Sequence, residues 1–407
     1  MPELFINLTL FIFLIRPLVD LQGKYEANEA LNAGGWIGLV LFFIIGIKFF
    51  HGHIKSSLFY KVISTAFIIS LIYLYNLIYF EFDSTNLAET ARFLVGFCPI
   101  LLLQDFASNR YSDEKMIFYL KGILVVTCIP IVITWLQLLG FWEFTYYDYY
   151  AMGRIGRPSG GYYQPSALGK IIIFDVLFCY ILYIRSIISM KTKNIIIVAL
   201  LFTVIVSTHR TSILLVCMAI FIQEFMLLKY HRILFGYMVS ILSMAIAFVT
   251  VGYFERYFLL FSSGFAFNLE TGEGLRGRFG IWSTFYHYFC RIDLIKQFFG
   301  VGYEVFEPHN DVLRTIMTTG IFGVCLHILL FSFIYILIKT KIDYQYRYLL
   351  NLLYLLFILF GITLQPTSYP NFMWLFFSYC FCIMLFFQKN GKTLISKNLI
   401  GLQAVNK

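Results

Sequence analysis

Charge is what this chain has least of. Only 13 % of its 407 residues are Asp, Glu, Lys or Arg, where a soluble domain carries about a quarter. With 60 % hydrophobic and 20 % aromatic residues, an ordinary soluble globule is excluded and a membrane protein is expected. Metal and redox spacings are missing as well. The eight cysteines (Cys98, Cys128, Cys179, Cys217, Cys290, Cys325, Cys380, Cys382) form no CxxC pair and no Cys/His ligand set. They read as small buried apolar residues inside hydrophobic runs. The first apolar run, Phe5 to Leu21, carries Arg16 and Asp20 and lacks a small-residue cleavage site. It is expected to be a retained span.

Apolar runs long enough to cross roughly 30 Å of hydrocarbon recur from end to end. Spans are expected at 4–22, 33–50, 62–80, 87–104, 117–140, 165–184, 194–208, 211–228, 233–252, 317–338, 347–364 and 371–388. The fold class is thus an all-α polytopic membrane protein with about twelve transmembrane helices in one membrane domain, 1–407. Alternate connections collect the lysines: Lys48, Lys55 and Lys61, then Lys115 and Lys121, Lys191 and Lys193, Lys229, Lys339 and Lys341, and Lys389, Lys392 and Lys397. Positive short loops stay cytoplasmic, so this set and both termini are placed inside. Outside lie two large connections, 141–164 and 253–316, the second between the ninth and tenth spans. The formal net charge of +9 follows from this topology and gives no reason to expect nucleic acid.

The outer-face cations are mostly arginine: Arg154, Arg157, Arg210, Arg256, Arg276, Arg278, Arg291 and Arg314. Arginine's planar fork binds phosphate oxygens in a bidentate way that lysine does not match. The cluster points to a lipid-borne phosphate or diphosphate. The competing reading is pairing with Glu255, Glu270, Glu273, Asp293, Glu304 and Glu307.

In the first outer loop, Arg154 and Arg157 precede Pro158, the pair Gly160-Gly161 and Pro165. Its tyrosines, Tyr146 to Tyr163, serve either as interfacial anchors or as stacking faces for sugar rings. The hairpin Ser207 to Ser212 puts Arg210 at a helix boundary, where an unpartnered charge costs at least ~2.5 kcal/mol. In the large loop, Arg276 and Arg278 precede Trp282, and 279–290 is expected to form an amphipathic helix on the membrane with Trp282, Phe285 and Phe289 on one face. Glycines 300 and 302 break the chain. Pro308-His309-Asn310 then opens a helix bearing Asp311 and Arg314. A histidine there can take or orient a proton.

His309-Asn310, nine residues, then Gly320-Ile-Phe-Gly323 resembles the histidine motif of the O-antigen ligase and polysaccharide-polymerase (Wzy/WaaL-type) superfamily. Arg210 after Ser207, the Arg278…Trp282 element, Gly300-x-Gly302 and the Arg/Gly/Pro stretch 154–169 resemble that family too, across nearly the whole chain.

The resemblance implies a GT-C-like glycosyltransferase of the bacterial inner membrane, active on the periplasmic face without metal or cofactor. Its donor is an undecaprenyl-diphosphate-linked oligosaccharide. His309, Arg210 and Arg278 take the catalytic places; Arg276, Arg157, Arg154, Asn310 and Arg314 take substrate-binding ones. Glu304 and Glu307 are reserve general bases. The two large outer loops, 141–164 and 253–316, hold no DxD-like acidic pair, which fits a metal-free reaction. A repeat-unit polymerase for O-antigen, capsule or exopolysaccharide is favoured. The alternatives are the ligase that passes polymer to lipid A–core, and a flippase of lipid-linked sugars. A chain-length regulator and a flippase are the protein partners expected of a polymerase.

Overall fold

The computed structural model describes residues 57–79, 113–141, 147–148, 156–162, 165–207, 209–227, 278–302 and 308–388, with isolated positions elsewhere. Among them run ten helices: α1 (Ser57–Tyr79), α2 (Asp113–Leu138), α3 (Pro165–Ile184), α4 (Met190–Val206), α5 (Arg210–Met226), α6 (Arg278–Arg291), α7 (Leu294–Phe299), α8 (Asp311–Lys341), α9 (Arg347–Thr363) and α10 (Pro370–Phe386). Two-residue strands β1 (Tyr147–Asp148) and β2 (Gly156–Arg157) pair antiparallel inside the first large loop. The described chain is helical apart from that pair and short turns. Four helical segments are long and apolar enough to cross a membrane: Ile117–Leu138, Pro165–Ile184, Asp311–Lys341 and Tyr344–Thr363. Helices fall on eight of the expected spans. Those expected at 4–22, 33–50, 87–104 and 233–252 lie outside the described residues, isolated positions aside.

α3 is the hub. Seventeen of its twenty residues are buried, as suits a helix apolar on every side. α2, α4, α5 and α10 pack around it. Gly169 permits the closest approach: a Cβ there would stand 2.0 Å from the Ser212 hydroxyl at the start of α5. Small residues at helix crossings do this work in membranes, where association runs on close packing and hydrogen bonds. α8, α9 and α10 close on an aromatic cluster, with Phe331–Phe357 ring centroids 4.7 Å apart and Phe360–Phe372 5.3 Å apart. Of the described cysteines, Cys179, Cys380 and Cys382 are buried. Cys128, Cys217, Cys290 and Cys325 face outward, so burial of all eight was too broad an expectation.

Helix ends that the charge pattern assigns to one side meet each other. At one end, Thr363 hydrogen-bonds Thr211 and Asn310 hydrogen-bonds the Ile362 carbonyl. At the other, Ile342 bridges Gln388, Arg185 lies over the Phe386 ring, and Lys193 meets Glu224.

α8 begins at Asp311, six residues before the expected start of its span at 317, because Asn310 caps it: the Asn310 side chain accepts from the Leu313 amide. The helix is also broken. Gly320 sits at φ 71° and ψ −177°, a conformation that only glycine adopts without strain.

Candidate functional site

The site is built on that break. Gly320 lies against the Phe298–Phe299 peptide so closely that a Cβ would stand 2.1 Å from the Phe298 carbonyl oxygen. From the other side, Gly300 (φ 82°) lies on the Thr318–Gly320 backbone, with 2.5 Å between its would-be Cβ and the Thr319 nitrogen. The two glycines let two backbones touch. Breaking a helix frees carbonyls, and inside a bilayer each needs a donor. Here the Met317 carbonyl accepts from the Val301 amide at 2.7 Å, and the Thr318 carbonyl from the Gly302 amide at 3.1 Å. The Asn76 amide of α1 donates to both the Thr318 and Phe299 carbonyls, at 3.1 and 2.9 Å. Gly323, the last glycine of the motif, makes room for Thr319, whose hydroxyl lies 2.0 Å from its would-be Cβ.

The short segment 311–319 therefore has a fixed far end, and it carries His309-Asn310 at its start. His309 adopts φ 49°. A left-handed conformation at a non-glycine residue costs of order 1–3 kcal/mol and tends to be held where geometry serves a site. Three hydrogen bonds then join the elements named from the sequence. The Trp282 indole donates to the Pro308 carbonyl at 2.8 Å, tying α6, which opens with Arg278, to the His309 turn. The Asn310 amide donates to the Ile362 carbonyl at 3.1 Å. Next along the chain, Thr363 bonds Thr211 at 3.3 Å, beside Arg210. Arg278, His309, Asn310 and Arg210 thus open onto one end of the bundle.

Arg210 is the first residue of α5, half-buried, and His209 is that helix's cap: its Nδ1 accepts from the Ser212 amide at 3.3 Å. An arginine at a helix start is a favourable place for an anion. Arg157 lies in β2. The turn after it is anchored because the Gln137 side-chain oxygen accepts from the Ser159 and Gly160 amides at 2.9 and 3.0 Å. Arg276, Arg154, Glu304 and Glu307 fall outside the described residues. Arg291 ends α6 and is exposed. Asp293, the competing partner for an arginine, instead caps α7 and pairs with Lys296. The Lys296 amide hydrogen-bonds the Asp293 carboxyl and holds it below the usual carboxylate range.

Behind the His309 turn lies a polar cluster not foreseen from the sequence. Lys170 of α3 is buried, with its ammonium 2.8 Å from the centroid of the Tyr369 ring. Arg314 is buried beside the phenols of Tyr369 and Tyr73. The Asp311 carboxylate accepts from the Thr367 hydroxyl at 2.5 Å and the Thr367 amide at 3.3 Å, within electrostatic reach of Lys170. Lys170 stands in the second turn of α3, near the end of its span. Its neighbours could not be read, because Tyr369 is about two hundred residues away.

α6 forms as expected, but its apolar face is turned the other way. Phe285 is buried against Val301 and Met317, with Phe289 and Leu313 beside them. The face expected on the bilayer covers the glycine segment of the protein instead.

The arrangement offers half-buried guanidinium groups, one imidazole in a strained turn and two buried cations behind it. Chemically this suits an anionic, poorly hydrated ligand and a proton transfer beside it. No protein-family model and no curated protein matches the chain.

Proposed function

We propose that the protein is a metal-independent glycosyltransferase that polymerises oligosaccharide repeat units carried on undecaprenyl diphosphate. The observation that carries the reading is the hydrogen-bonded path joining the Arg278–Trp282 turn, the His309-Asn310 turn and the start of α5 at Arg210. In the proposed step an acceptor sugar hydroxyl attacks the anomeric carbon of the donor, and the bond from that carbon to the diphosphate oxygen breaks. The hydroxyl proton passes to His309 and the electron pair leaves with the diphosphate. Diphosphate is a competent leaving group, so charge stabilisation by Arg210, Arg278 and Arg276 matters more than a strong acid. Arg157 and Arg154 extend the positive surface toward the donor, Arg314 adds positive charge from behind the His309 turn, and Asn310 fixes the turn that holds His309.

One observation favours a second reading. A broken helix with buried cations near the break also occurs in transporters, so a flippase for the same lipid-linked sugar is the alternative from a different class. The ligase shares the proposed chemistry and differs in its acceptor.

Deleting the gene in its native host and resolving lipid A–core and lipid-linked glycans on gels separates the three. Core bearing a single repeat without a ladder is the result expected. Bare core with long polymer retained on undecaprenyl diphosphate would replace polymerase by ligase. Repeat units trapped on the cytoplasmic side would overturn both in favour of a flippase.

A further inference from the structure

α7 presents a largely exposed apolar face, although the Phe298 ring stacks 6.0 Å from Phe322 at its edge. Leu294 is 79 % exposed, Ile295 50 % and Phe298 52 %. At 100° per residue these three lie within about 100° of arc. Asp293 and Lys296, paired at 3.4 Å, stand outside that arc, and the Gln297 amide is spent on the Phe289 and Ile292 carbonyls. Phe299 turns inward, its ring 5.8 Å from Tyr75 and 6.0 Å from Phe322.

Depth decides what meets the exposed face. α7 ends on Gly320, where α8 breaks. From Ile321 to Lys341, at 1.5 Å per residue, α8 extends roughly 30 Å, which by itself crosses the hydrocarbon core. The break therefore lies at the edge of that core, and α7 lies there with it. On either side the exposed apolar surface continues, through Leu74, Tyr75, Ile78 and Tyr79 of α1 and Ile321 and Ile328 of α8.

We infer that α7 is a membrane wedge, with Leu294, Ile295 and Phe298 in contact with lipid acyl chains at the boundary on the side of the candidate site. The connection 253–316 then does not stand wholly in water. Its last helix before the glycine segment is seated in the bilayer edge and holds the Gly300–Gly320 contact at lipid depth. Asp293 and Lys296 stay at the headgroups, as charged side chains near a boundary do. This placement does not depend on the reaction assigned to the site.

The test places a nitroxide on a ketone-bearing residue, so that the native cysteines remain. The full chain is labelled singly at Leu294, Phe298 or His287, the last on the outward side of α6, and reconstituted into phosphatidylethanolamine–phosphatidylglycerol vesicles. Collision rates with oxygen and with a water-soluble nickel complex are compared. At 294 and 298 oxygen should dominate, with nickel access at least fivefold lower than at 287. Labelling at Ile295 supplies the same reading where one label prevents folding. Nickel access at 294, 295 and 298 equal to that at 287 would overturn the wedge. Low access to both reagents would also overturn it, since that marks contact with a second copy of the protein.

Discussion

At one end of the bundle Lys193 is buried against Glu224, whose carboxylate also accepts from the Tyr180 hydroxyl at 2.6 Å. At the other end Lys170 and Arg314, equally buried, are housed among the phenols of Tyr369 and Tyr73. The first arrangement neutralises its cation and encloses it. The second surrounds its cations mainly with aromatic faces and hydroxyls, with the Asp311 carboxylate within electrostatic reach of Lys170. Buried cations cost several kcal/mol in lost hydration. The cations housed among phenols lie at the end where hydrogen bonds join α6, the His309-Asn310 turn and the start of α5. Cations near a membrane are thus not one class: Lys193 is tied directly to Glu224, whereas Lys170 and Arg314 are housed chiefly among phenols and hydroxyls.

Substitutions at the two ends should have different consequences. The largest effect should come from Gly320→Ala or Gly300→Ala, because a Cβ would meet backbone atoms 2.1 to 2.5 Å away at positive φ. Either should lose the folded protein or release segment 311–319, read as monodisperse yield and amide exchange. Gly140→Ala is the control. Its φ is 77° but nothing lies within 4 Å, so it should cost only about 1–2 kcal/mol. Next, Lys193→Met alone should destabilise by roughly 3–5 kcal/mol by stranding Glu224, and adding Glu224→Leu should restore most of that. Lys170→Met and Arg314→Met should behave oppositely in thermal unfolding. Little stability should be lost, while turnover falls sharply. A loss of stability as large as that of Lys193→Met would erase the distinction between the two ends.

Asn76→Leu should cost about 1–3 kcal/mol, the penalty for leaving buried carbonyls short of a donor. Faster exchange confined to 311–319 would locate the effect. The smallest change should follow pH at Asp293. Its folded carboxyl titrates below the ordinary value, so its contribution is present above the unfolded pKa and lost as pH falls through the folded one. Fraying of 294–299 on acidification should be present in the wild type and absent in Asp293→Asn.

Much of this frame was legible because it is local. The run 165–184 is helix at both expected ends, Pro165 and Ile184. The glycines at 300 and 302 do break the chain, and the helix after Asn310 starts where its cap stands. What could not be read needs partners far apart in sequence. Asn76 meets a carbonyl 242 residues away, and nothing around Asn76 marks it among apolar neighbours. Gly300 and Gly320 each look like ordinary punctuation until they are found on one another. The apolar face of α6 was visible as a stripe. Its direction was not, because a stripe does not say whether lipid or protein covers it. Asp311 and Tyr369 were missed for a related reason: a carboxylate and a phenol acquire meaning only beside Lys170 and Arg314.

The most direct test reconstitutes the purified protein in vesicles with the lipid-linked oligosaccharide isolated from the deletion host. EDTA is present, and product length is read by mass spectrometry. Wild type and the Lys193→Met/Glu224→Leu pair should both lengthen the glycan and release undecaprenyl diphosphate. Folded Arg278→Ala should be slower by roughly 100- to 1,000-fold, the scale of losing one charge-stabilising donor. Elongation by Arg278→Ala at the wild-type rate, or no elongation by any folded protein, would contradict the account.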